Sequence, residues 1–158
     1  MKRHYASVQR QLALSPGPVL MLQRQKNVVL VPLANLHRGA VDAIAYAESL
    51  SEDVRAVTVE TPGGPDSKMK VAWPNYFPAV PLVILESPYR SLVAPLLDYI
   101  RQIRKELPGA YITVVVCEFI VARWWHNLLH NQSALMLRTI LRAERGVIVT
   151  SVRMHLDE

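Results

Sequence analysis

Residues 111–150 read YITVVVCEF, IVARWWHNLLHNQSA, LMLRTILRAER and GVIVT, and this stretch decides the fold. Tyr111 to Cys117 is an unbroken and mostly β-branched run. Such a run reads as a parallel strand buried on both faces, since a half-exposed strand would alternate apolar and polar residues. The polar-aromatic segment after it precedes a helix at Ser133–Arg142 and a strand at Gly146–Val152. In open α/β sheets, ligands bind beyond the carboxyl ends of the strands. Here that position carries Glu118, two tryptophans, two histidines and the helix start HNQS, where a glycine loop would be the familiar occupant.

Working outward, strands and helices alternate. Val28–Pro32 is an apolar run, and Arg38–Leu50 sets Val41, Ile44, Ala45 and Ala47 on one helical stripe. Val54–Glu60 is a second strand. After the turn Thr61-Pro62-Gly63-Gly64-Pro65, Asp66 can cap a short helix that ends at Trp73-Pro74. Pro81–Leu85 is a third strand. Leu92, Leu96, Ile100, Ile103 and Leu107 line a helix that Pro108-Gly109 stops. This order means βαβ units, predicting a three-layer α/β/α domain on a five-stranded parallel sheet of order 3-2-1-4-5. The switch point then falls between the first and fourth strands, with Pro32–Arg38 beside Glu118–Ser133.

At 158 residues the chain fits one folding unit, and 51% apolar with 20% charged residues excludes a disordered one. Residues 1–25 read as a basic arm or linker broken by Ser15-Pro16-Gly17-Pro18, with Val19–Leu22 as a candidate edge strand; the α/β domain is 26–158. Much of the net charge of +5 lies near the N-terminus, in Lys2, Arg3, Arg10, Arg24 and Lys26. A basic end can face water, nucleic acid or the anionic leaflet of a membrane; no nucleic-acid partner is expected. The single cysteine, Cys117, excludes an intrachain disulfide and a CxxC metal site, and fits a reducing compartment. No window reaches the length of an apolar membrane span, so a soluble cytosolic chain is expected.

Catalytic signatures are missing: there is no GxSxG, Walker A loop, HExxH or GxGxxG. Glu118 is the one carboxylate suspected on position, and a salt bridge explains it equally well. His126 and His130 have zinc-compatible spacing without an evident third ligand, so no metal is expected. Trp124 and Trp125 suit an interface or packing, or a stacked base. Arg38, Arg90 and Arg123 can gather as an anion pocket, or pair with Glu86, Glu118 or Asp98 on the surface.

The segments SPYRSLVAPLLDYI (Ser87–Ile100), VVVCEFIVARWWHNLLHNQSALMLR (Val114–Arg138) and GVIVTSVRMHL (Gly146–Leu156) carry a family resemblance. They resemble the universal-stress-protein-like cytoplasmic C-terminal domains of amino acid–polyamine–organocation transporters, among them amino acid permeases and KimA-like potassium importers. The leader KRHYASVQRQLAL is similar to the segment by which such transporters leave their last transmembrane helix. ATP-binding stress proteins carry an acidic residue after the first strand and a loop GxxGxxxxxxxxxG[ST] after the fourth. This chain has Ala34 at the first place and no glycine between Glu118 and Ser133, which argues against ATP held in that way.

The resemblance implies a noncatalytic regulatory or assembly domain at the cytoplasmic face of the membrane, partnered by its own transporter and by a second copy. It also implies cyclic di-AMP as a candidate ligand at the carboxyl edge. Ligand contacts are then expected from Pro32, Leu33, Ala34, Asn35, Arg38, Arg90, Glu118, Arg123, His126, His130, Asn131, Gln132 and Ser133. A dimer interface would use Trp124, Trp125, Val147, Ile148 and Val149. Two alternatives stay open: a standalone stress protein binding ATP or AMP, and a dimerisation module without a ligand.

Overall fold

A computed structural model describes residues 2–17, 25–60, 66–87, 92–121 and 132–156. The elements run α1 (Lys2–Leu12), β1 (Asn27–Pro32), α2 (Arg38–Leu50), β2 (Asp53–Glu60), α3 (Asp66–Tyr76), β3 (Leu82–Glu86), α4 (Val93–Glu106), β4 (Tyr111–Val121), α5 (Gln132–Ala143) and β5 (Val147–Leu156). All four strand pairings are parallel, in the order β3-β2-β1-β4-β5. The α/β fold and its strand order are therefore those the alternating pattern predicts. The expected strand Val19–Leu22 and turn 61–65 lie outside the described residues.

Two cores explain the continuous apolar runs. Val29, Val31, Val54, Ala56 and Val115 face α2 and α3, while Val28, Leu30, Val57, Ile112, Val114 and Val116 face α4 and α5. Because side chains alternate along a strand, an apolar residue at every position serves both faces at once. The sheet is accordingly the middle layer of three.

Helix α2 departs from the stripe expected of it. Gly39, Ala40, Ala43, Ile44 and Ala47 face the sheet, whereas Val41 and Ala45 point outward and Val41 is 45% exposed. The small residues win the inner face because they let the helix axis come close. A Cβ added to Gly39 would lie 2.7 Å from Cys117 Sγ, inside van der Waals contact.

Helix α3 runs two residues past Pro74, beyond the expected stop at Trp73-Pro74. The proline removes one amide, yet Phe77 N still donates to Trp73 O at 2.9 Å. Trp73, 4% exposed, anchors this end by donating Nε1–H to the carbonyl of Val80 at 2.7 Å. Helix α4 tolerates Pro95 in its first turn, and its connection to β4 turns through Gly109 at φ +83°.

Strands β4 and β5 are longer than expected, ending at Val121 and Leu156 instead of Cys117 and Val152. Glu118, Arg153 and His155 interrupt the apolar pattern, but they do not end the ladder. Glu118 lies in register with Arg153, so the two polar positions meet across the strands.

Candidate functional site

The carboxyl edge at the β1–β4 switch point is built by a mismatch in strand length. β1 pairs with β4 from Asn27↔Tyr111 to Leu30↔Val114 and ends at Pro32, whereas the β4–β5 ladder continues to Val121↔Leu156. Cys117 to Val121 therefore extend about 16 Å past the end of β1, at roughly 3.3 Å per residue. The result is a step: β1, the following loop and the start of α2 form its floor, and the β4–β5 ribbon forms its wall.

On the floor, Pro32 and Leu33 are buried, and Leu33 N donates to Val57 O at 2.8 Å. Ala34 and Asn35 are exposed, as is Arg38 at the start of α2. His37 caps that helix: its backbone is extended and its Nδ1 accepts from Ala40 N at 3.1 Å. An acceptor here satisfies one of the amides that the first helical turn leaves unpaired. Burial lowers the His37 pKa from its ordinary value, which favours the neutral ring that capping requires.

The wall is organised by Glu118. It has the parity of Ile112, Val114 and Val116, so it faces the α4–α5 side and is only 6% exposed. Arg138 Nη1 of α5 donates to its Oε1, Ser151 Oγ of β5 donates to the same oxygen at 3.2 Å, and Arg153 Nε lies 3.7 Å from Oε2. A buried carboxylate is costly unless paired and hydrogen-bonded, and these three partners supply that compensation. Two guanidinium groups on one carboxylate leave local positive charge, and Arg153 is well exposed. Glu118 thus sits inside the strand, clamped to α5 and β5, and not in the loop beyond it.

Of the surface pairings expected for Arg38, Arg90 and Arg123, those of Arg90 and Arg123 lie outside the described residues. Asp98 pairs with Arg101, and Glu118 with Arg138 and Arg153; Arg38 takes part in no ion pair among the described residues. Arg90, Arg123, Trp124, Trp125, His126, His130 and Asn131 lie outside the described residues. Gln132 and Ser133 open α5, whose first turn holds no acidic residue. Of the expected interface positions, Val147 and Val149 pack partly against the α4–α5 core, while Ile148 remains 47% exposed on the edge strand β5.

Sequence reasoning misses Arg138, Ser151 and Arg153. Their distance along the chain hides them, although extending the β4–β5 register past Cys117 brings Arg153 opposite Glu118. Cys117 is half-buried on the other face, and burial pushes its thiol pKa up, with the carboxylates of Asp42 and Glu118 adding to the shift. Among the described residues no group of three metal-ligating side chains converges. An open apolar hollow lined by Trp73, Phe77, Pro81, Leu82 and Ile84 lies at the β3 edge, two strands from the switch point.

Residues 24–154 match the family described as the KimA potassium transporter C-terminal domain. The chain belongs to this family. It is also 32% identical over 163 aligned positions to the potassium transporter KimA of Bacillus subtilis strain 168, covering all of this chain and 26% of that protein. The chain thus spans about a quarter of the length of that relative. Of the transporter groups the sequence resembles, the match falls on the potassium-importer side. None of its described helices is long and apolar enough to cross a membrane.

Proposed function

We propose that this chain is the noncatalytic, cytosolic regulatory domain of a KimA-type potassium transporter. In this reading its universal-stress-protein-like sheet holds a cyclic dinucleotide, cyclic di-AMP, at the carboxyl edge. Family membership is the observation that carries the reading. The step at the switch point supports it: exposed Arg38, at the start of α2, supplies positive charge just beyond the end of β1, where sheets of this type take their ligands. Arg90, Arg123, His126 and His130 would complete the anion and base contacts.

A two-fold ligand suits a two-fold assembly, so the domain pairs with a second copy, in part along β5. Exposed Ile148 on this edge strand supports that choice, because an unpaired strand edge is a ready template for association. Ligand binding then biases the transporter by favouring one of its conformations over the other, which requires unequal affinity for the two. The test is rubidium flux through the full-length protein in proteoliposomes. Addition of cyclic di-AMP should change the flux, and removal of residues 26–158 should abolish the response while leaving basal transport measurable. A response that survives removal would contradict the proposal.

A further inference from the structure

The charge of this chain is distributed unevenly. Lys2, Arg3, Arg10, Arg24, Lys26 and Arg38 all precede the first acidic residue, Asp42. The remainder holds twelve basic against thirteen acidic residues, so the whole net positive charge resides in the first 41 positions. Helix α1 lies within this block.

Its pattern is amphipathic. Positions 5, 8 and 12 (Tyr5, Val8 and Leu12) fall within about 60° of arc at roughly 100° per residue, and positions 3 and 10, both arginine, fall on the opposite side. Val8 is 38% exposed, Leu12 76% and, just past the helix, Leu14 83%. Among the described residues, no strand or helix of the domain makes an extensive contact with α1. The helix is separated from the sheet by Ser15-Pro16-Gly17, with Gly17 at φ +129°, a conformation that breaks a helix.

An isolated helix of 11 residues is marginal in water, and one that leaves Val8 and Leu12 exposed gains from a surface that covers them. We propose that α1 lies in the plane of an anionic lipid surface, with Tyr5, Val8 and Leu12 in the headgroup boundary and Lys2, Arg3 and Arg10 on acidic headgroups. Charge decides between partners. A protein groove would suit the apolar stripe but would not account for a helix with basic residues and no acidic ones; an anionic interface suits both. Exposed Lys26, at the start of the sheet, would extend the same contact. The proposal rests on reading the chain as a domain held at a membrane, and it goes beyond that reading by naming the element and the lipid chemistry that hold it there.

The test is co-sedimentation of the whole chain with phosphatidylcholine vesicles, with and without phosphatidylglycerol. The chain should bind the anionic vesicles alone and should weaken as salt is raised. The triple variant Lys2→Glu, Arg3→Glu, Arg10→Glu should bind at least about a hundredfold more weakly. Val8→Asp with Leu12→Asp should also release it, while both variants keep the thermal unfolding of the parent because α1 lies outside the core. Equal binding to neutral vesicles, binding unaffected by either variant, or binding to an RNA oligonucleotide with none to vesicles would each overturn the proposal. Cyclic di-AMP titration of the same variants separates the two claims, since the dinucleotide site does not involve α1.

Discussion

Glu118 on β4 and Arg138 on α5 form a buried ion pair that ties the last helix to the carboxyl end of the sheet. The carboxylate is 6% exposed and also accepts from Ser151, so it cannot turn to water when a partner is lost. Arg138→Ala should cost about 2–3 kcal/mol, somewhat below the usual range for breaking a buried pair because Ser151 and Arg153 remain. Adding Glu118→Gln should recover part of that loss. Urea denaturation of the two single variants and the double variant measures it; strictly additive costs would show that the pair is not coupled.

A second prediction concerns Gly39. Replacing glycine inside a helix by alanine ordinarily gains up to about 1 kcal/mol. Here the new Cβ would meet Cys117 Sγ at 2.7 Å, Met154 Sδ at 3.2 Å and His37 Nδ1 at 3.3 Å. Gly39→Ala should therefore destabilise by about 1–3 kcal/mol, as overpacking does. Cys117→Ala removes the nearest atom and should make Gly39→Ala much less harmful in the double variant. Thermal melts of all three decide this, and an unchanged penalty in the Cys117→Ala background would locate the strain elsewhere.

His37 should make stability depend on pH. Its folded pKa is depressed by burial, so the unfolded chain takes up the proton first as acid is added. Stability due to the neutral cap is complete above the unfolded value near 6.5, and is lost as pH falls from there toward the folded pKa. His37→Asn keeps a capping oxygen without the titration, so the difference in unfolding free energy between parent and variant should vanish at neutral pH and grow in acid. A difference that stays constant across this range would mean that the ring does not titrate differently on folding.

Cys117 should react slowly. Its thiol pKa is raised, first by burial and then by Asp42 and Glu118, and the thiolate is the reactive form. A disulfide reagent at neutral pH should label the native chain more slowly than free cysteine, and urea should restore the ordinary rate. Fast labelling of the folded chain would place the sulfur in water.

The sheet is legible in the sequence because residues such as Val28–Val31 and Ile112–Val116 are apolar, or nearly so, at every position, which only a strand buried on two faces requires. The inner face of α2 is not, as Val41 and Ala45 show. Hydrophobicity alone ranks valine above glycine, whereas close packing on β4 ranks them by size, and Gly39, Ala40 and Ala43 win. The ends of β4 and β5 escape for a related reason: Glu118 and Arg153 look like loop residues singly and like a strand pair only when the register joins them. Of the candidate site, position points to Glu118, but its partners Arg138 and Ser151 come from α5 and β5, and no local pattern connects them.

The most direct measurement is calorimetric titration of the purified chain with cyclic di-AMP, ATP and AMP, with mass followed by light scattering. Cyclic di-AMP should bind a dimer with micromolar affinity, weakened in Arg38→Ala and Arg90→Ala, and ATP should give no heat. A monomer that binds ATP, or a dimer silent to cyclic di-AMP, would contradict the proposed function.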